Sequence, residues 1–193
     1  DLAGHAVGKH DHYLAAFGGI TCLDIEQDGR VTVSSLDISL TTAEEFRSNV
    51  LLFYTGLTRS SREILEAQKN DTEKQDSTVV DSLDRTKDLG YRIKETLQEG
   101  NIDQFGLLLD EHWQNKKRRS SKISEPKIDQ WYELAKGQGA LGGKIIGAGG
   151  GGFLMLYCPT NRKIHVRQAL AEAGLREMSY DFDFEGAKAI VNL

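Results

Sequence analysis

The chain has 193 residues, enough for one domain or one domain plus part of a second. Hydrophobic residues make up 39% and charged residues 27%, an ordinary balance for a soluble globular protein that can bury a sizeable core. The net charge of −5 argues against a nucleic-acid partner, and no apolar run reaches the length of a membrane-spanning helix, so a membrane is not expected as a partner either.

The elements follow in chain order. Residues 11–17 read as a short helix stopped by Gly18 and Gly19. Strands are expected at 20–25 and 30–36, joined through the turn signal Asp28-Gly29. The continuous apolar run at 49–55 predicts a buried strand ending at Gly56. Ser60 with Glu63 forms a capping-box signal for a helix to about Lys69, and the polar stretch 70–76 reads as a loop. A long helix follows, with Val80, Leu83, Ile93 and Leu97 on its apolar face and Gly100 closing it. Ile102, Phe105, Leu109 and Trp113 recur at helical spacing, with Trp113 in the core. Pro126 then opens a helix that turns Ile128, Trp131, Tyr132 and Ala135 inward. Residues 142–152 are dense in glycine, 153–158 form a strand stopped by Pro159, and 161–173 form an amphipathic helix stopped by Gly174. The alternation in residues 177–184 predicts an edge or half-exposed strand. The whole pattern is α+β, helices packed on a mostly antiparallel sheet. The two cysteines, Cys22 and Cys158, sit in apolar runs and read as buried free thiols, which points to a reducing cytoplasm. No Cys/His cluster has metal-site spacing.

Three stretches carry candidate chemistry. Gly147, Gly149, Gly150, Gly151 and Gly152, with Ala148 among them, lie between two apolar runs. Such a loop fits either a tight connection between strands or a concavity of backbone N–H groups that holds an anion. It is neither a Walker loop, since no Gly-Lys-Ser/Thr follows, nor a dinucleotide fingerprint, since a strand and not a helix follows. Asp11, within GKHDHY, fits either a helix cap or a carboxylate that orients an attacking hydroxyl and takes its proton. Lys9, His10 and Tyr13 surround it. Finally, His112, Lys116 and Arg119 fall on one helical face, and Arg59 follows a buried strand. Each fits either a solvated basic surface or a grip on a phosphate.

GKHDHYLAAFGG and LGGKIIGAGGGGFLMLYCP together resemble the later motifs of the GHMP kinases. LLFYTGLTRSSREIL, HWQNKKRRSSKIS and YDFDFEGAK narrow the resemblance to bacterial D-glycero-D-manno-heptose 7-phosphate kinases and related sugar-phosphate kinases. The likeness runs in order over nearly the whole chain. It implies the family's C-terminal domain, a ferredoxin-like antiparallel sheet with packed helices, over residues 46–193. Residues 1–45 would be the end of its N-terminal domain. It implies ATP and Mg2+ as cofactors and transfer of the γ-phosphate to the anomeric hydroxyl of a sugar phosphate. A kinase of galactose or fucose type, or a non-catalytic binding module, is the alternative. Asp11 matches the acidic residue beside the acceptor hydroxyl, and 147–152 matches the loop near the nucleotide phosphates. Lys9, His10, Tyr13, Arg59, His112 and Lys116 are the expected substrate contacts. His10 and His12 depart from the glutamines usual in the family. The family's ATP-cradling Pro-x-Gly-Leu-Gly-Ser-Ser-type loop is expected before position 1, where the sequence opens Asp1-Leu2 without an initiator Met; a truncated chain, inactive alone, is the expectation.

Overall fold

The computed structural model describes residues 9–58, 77–119, 123–147 and 149–188. The helix expected at 60–69, the loop at 70–76, Arg59, Ala148 and the side chain of Lys9 lie outside the described set.

Helix α1 (Lys9–Phe17) leads into a two-stranded antiparallel hairpin, β1 (Thr21–Ile25) and β2 (Val31–Ser35), turned at Asp28-Gly29 as expected. Next comes α2 (Leu40–Asn49), a helix the hydrophobic pattern does not announce. Its signal is local: the Ser39 side chain accepts from the Thr42 N–H at 3.0 Å, a capping bond that satisfies an otherwise orphaned donor. Strand β3 (Val50–Tyr54) follows without a linker.

Helix α3 (Ser77–Gln98) corrects the expected apolar face. Leu97 is buried and Ile93 half-buried, but Val80 and Leu83 are exposed, while Val79 and Ser82 are buried. The reason is polar. α4 (Ile102–Lys117) packs on α3 through a hydrogen-bonded seam in which Asn115 Nδ2 donates to the Ser82 carbonyl at 2.8 Å and Ser82 Oγ donates to the Asn115 carbonyl at 3.0 Å. Those bonds hold the Ser82 side of the helix inward and displace the apolar stripe by one position.

Helix α5 (Pro126–Gly137) is followed by β4 (Gly142–Ile145), β5 (Phe153–Tyr157), α6 (Lys163–Glu172) and the two-residue β6 (Arg176–Glu177). The strands form an antiparallel sheet in the order β4-β5-β3-β6. Alternation along β3 and β5 gives the sheet two apolar faces. Leu51, Phe53, Leu154 and Leu156 face Ile128, Tyr132, Val166 and Leu170 of α5 and α6. Val50 and Tyr157 face Leu97, Ile102, Phe105 and Leu109 of α3 and α4. β4 lies so close to α4 that a Cβ at Gly142 would overlap the Gly106 carbonyl oxygen. That contact holds the strand carrying the glycine loop directly against the helix carrying His112 and Lys116.

The strand expected over 177–184 is replaced by an extended tail whose strand bonding ends early. Met178 N–H still donates to the Leu52 carbonyl at 2.8 Å, and then side chains take over. Phe182 stacks on Phe46 at 5.7 Å, and Gly19 N–H donates to the Asp183 carbonyl at 2.6 Å, tying the tail to the end of α1. The period of two is therefore that of an extended chain laying alternate rings on its neighbours, without a partner strand. Both cysteines are free; Cys158 is buried and Cys22 half-buried. Among the described residues no helix is long and apolar enough to cross a membrane.

Candidate functional site

The glycine loop joins β4 to β5. The Ile146 N–H donates to the Phe153 carbonyl at 2.9 Å, and beyond that pair the chain leaves the sheet. Two of its glycines pin it. Gly150 N–H donates to the Ile123 carbonyl at 2.9 Å, and Gly152 N–H donates to the Leu57 carbonyl at 2.8 Å. The N–H groups of Gly147, Gly149 and Gly151 have no acceptor among the described residues. Bound and open donors thus alternate along the loop. Glycine is required for that course at Gly149, where φ is +120° and a Cβ would stand 2.8 Å from the Ile123 carbonyl oxygen. N–H groups left without an acceptor give such a loop the chemistry of an anion cradle.

α4 supplies the neighbouring side chains. Lys116 is only 9% exposed, and its Nζ donates to the Gly147 carbonyl at 2.6 Å, so the helix grips the first glycine of the loop. Burial, with Lys144 and Arg119 nearby, pulls the Lys116 ammonium down to a pKa of about 8. Burial and then the charges of Lys144, Lys116 and Arg119 hold His112 down to about 3, so it is neutral at physiological pH. Its Nδ1 is buried and makes no hydrogen bond. Arg119 is anchored at the end of α4: Nε donates to Ser82 Oγ at 2.9 Å and Nη2 donates to Thr86 Oγ1. Lys144, on β4, has its affinity for a proton lowered by burial and then by Arg119.

α1 is built differently. Asp11 lies in its first turn with its side chain 74% exposed, and its Oδ1 is 3.1 Å from His10 Nε2. Tyr13 stacks along Phe17 at 6.5 Å. Among the described residues no hydrogen bond or ion pair joins α1 to the glycine loop or to α4. Its bonds run to the tail, with Ala187 N–H donating to the Ala16 carbonyl at 3.1 Å.

Of the residues singled out from sequence, then, His112, Lys116 and the loop from Gly147 to Gly152 come together, with Arg119 beside them. Exposed Asp11 and His10 and half-buried Tyr13 form a separate group on α1. Arg59 and Ala148 fall outside the described residues. Lys144 was not anticipated. The signal for it is a lysine in a strand whose other three residues, Gly142, Gly143 and Ile145, are buried. Trp113 is fully buried, as expected.

Comparison with known proteins agrees with this architecture. Residues 93–175 match the family model for the GHMP kinases C terminal. The D-glycero-alpha-D-manno-heptose 7-phosphate kinase of Campylobacter jejuni is 29% identical over 182 residues, which span 94% of this chain and 53% of that protein. The L-fucokinase/L-fucose-1-P guanylyltransferase of Bacteroides fragilis is 29% identical over 168 residues, 86% of this chain and 18% of that protein. The crystal structure of a D-glycero-D-manno-heptose 1-phosphate kinase from Bacteroides thetaiotaomicron superposes with a TM-score of 0.60 at 26% identity, covering 96% of this chain and 50% of that one. The chain spans about half the length of the heptose kinases it matches. The stretch from residue 93 to 175, which holds α4, α5, β4, the glycine loop, β5 and α6, therefore matches the C-terminal domain of the GHMP kinases, and the chain shares the fold of that domain.

Proposed function

We propose that this chain is part of an ATP-dependent sugar kinase that transfers the γ-phosphate to the anomeric hydroxyl of a sugar phosphate such as D-glycero-D-manno-heptose 7-phosphate. The observation that carries the reading is the meeting of the loop's open N–H groups with the buried ammonium of Lys116, which bonds the loop itself. The likeness to two heptose phosphate kinases supports the sugar class. Residues 46–193 would be the C-terminal domain and 1–45 the end of the preceding one.

The loop fits phosphate oxygens because the N–H groups of Gly147, Gly149 and Gly151 have no acceptor among the described residues. Mg2+ would be held largely through the nucleotide phosphates, as is usual for that ion. ATP would supply the phosphoryl group and Mg2+ would neutralise charge on its oxygens. The chain's residues do the rest. Asp11 orients the sugar hydroxyl and accepts its proton as the oxygen takes the phosphoryl group. His112 and Lys116 hold the acceptor, with Lys9, His10, Tyr13 and Arg59 as further contacts. The transition state is loose, so position and charge matter more than prior deprotonation.

The test is a coupled assay with Mg-ATP on the protein that joins this chain to an ATP-cradling segment. Heptose 7-phosphate, galactose, fucose and glucose 6-phosphate are compared by kcat/KM. Preference for a phosphorylated sugar supports the proposal; preference for fucose favours the kinase class of the Bacteroides fragilis relative; turnover of none sinks both.

A further inference from the structure

The carboxylates around α4 are already engaged. Asp129 pairs with Lys117 at 3.0 Å. Asp110 accepts from Tyr132 at 2.6 Å and from Lys136 at 3.0 Å. Glu111 pairs with Arg85 and, at 3.1 Å, with Arg92. Among the described residues, what remains beside the glycine loop is one-sided: Lys116, Arg119 and Lys144 bring three formal positive charges together, and no described carboxylate pairs with any of them. Like charges held in a partly desolvated site destabilise the fold, and burial without a counter-ion adds to the penalty. The arrangement gains a physical reason if the counter-charge arrives as a ligand.

Its donors are suited to a tetrahedral dianion. The Lys116 ammonium uses one N–H on the Gly147 carbonyl and keeps its others. The Arg119 guanidinium is oriented by Ser82 and Thr86 through Nε and Nη2, and among the described residues Nη1 has no acceptor. Neutral His112 offers its unpartnered Nδ1 side without adding charge. The Lys144 side chain has no hydrogen bond or ion pair among the described residues. It projects from β4 close enough for its charge to be felt by both His112 and Lys116. A monoanion would leave two like charges uncompensated, whereas a dianion leaves one.

We infer that Lys144, with Lys116, Arg119 and His112, forms a receptor for one phosphate dianion, and that Lys144 is the residue by which the site separates phosphorylated from unphosphorylated ligands. The inference rests on the reading of the loop face as a substrate site but not on any phosphoryl transfer. The phosphate could belong to the acceptor sugar or to the nucleotide, since both present the same oxygens.

The 193-residue chain is titrated with inorganic phosphate by calorimetry and melted with and without it. The expected result is one saturable site, weakened at least about tenfold by Lys144→Met, with Arg30→Met, which removes an exposed cation in the β1–β2 turn, unchanged. Without phosphate, Lys144→Met is expected to melt higher than the parent, because a repelling charge is gone; with phosphate, the parent is expected to gain stability and the variant not. A purely structural Lys144 would lower both melts. No saturable phosphate binding, or equal binding by Lys144→Met, overturns the inference. Glucose 6-phosphate and ADP are then competed separately against phosphate, and the competitor that displaces it identifies the source. Failure here is distinct from failure of the kinase reading: phosphate binding without turnover removes only the kinase, and turnover of a sugar phosphate with KM for both the sugar phosphate and ATP unchanged in Lys144→Met removes only the receptor.

Discussion

Two regions carry the chemistry-bearing residues, and the fold treats them in opposite ways. The α4–β4 face is assembled by packing: Gly142 lies on Gly106, Trp113 is fully buried beneath, and Lys116 bonds the glycine loop. The α1 face is open, with Asp11 and His10 mostly exposed and, among the described residues, paired only with each other. A site that stores unbalanced charge needs a rigid frame to keep it from relaxing, whereas a carboxylate that only has to meet a hydroxyl can wait at a helix start. The first region is thus expected to respond in stability and ligand affinity, the second in turnover alone.

Trp113→Ala should have the largest effect. It empties a fully buried site in the core shared with Ile123, Ile128 and Tyr132, and about 4 kcal/mol of stability should be lost in urea unfolding. A loss below about 1 kcal/mol would mean that the α4 face is not the rigid one. Asp11→Asn should lower kcat by at least about 100-fold in the joined enzyme with little change in substrate affinity. An unchanged kcat would remove the functional side of the comparison.

Lys116 gives a test in pH. Its folded pKa of about 8 lies below the ordinary lysine value of 10.5, so between these values the unfolded chain binds more protons than the folded one. Stability of the ligand-free chain should therefore rise with pH in that window, by at most about 1.4 kcal/mol per pH unit from this group. Phosphate affinity should move the other way, falling as the ammonium loses its proton. Lys116→Met should weaken both trends, leaving what Lys144, whose proton affinity burial also lowers, contributes; melts and titrations at pH 7, 8 and 9 read them. The smallest effect belongs to the open face: with a side chain 74% exposed, Asp11→Asn should change stability by less than about 0.5 kcal/mol. A larger loss would show that α1 depends on that residue for its structure.

Much of this was legible in the sequence because it is local. The hairpin at Asp28-Gly29, the helix opened by Pro126, the inward residues of α4 and α5, and the strand after the glycine run all follow from turn chemistry and period. Misreadings occur where a partner decides. Val80 and Leu83 have the right period for a buried stripe, but Asn115 draws Ser82 inward. Tyr180, Phe182 and Phe184 alternate as a strand would, yet their rings pack on Phe46 and on one another. α2 depends on a short cap with little apolar pattern behind it.

The site divides in the same way. By itself the sequence determined the glycine loop and the placing of His112, Lys116 and Arg119 on one face, because backbone freedom and helical spacing are properties of neighbours along the chain. Only the tertiary structure decided that Lys116 holds the loop, that Lys144 joins it from another element, and that Asp110, Glu111 and Asp129 are occupied elsewhere. Charge balance is a sum over groups brought close by packing, and residues 28 positions apart, such as Lys116 and Lys144, enter one sum only after β4 is laid against α4.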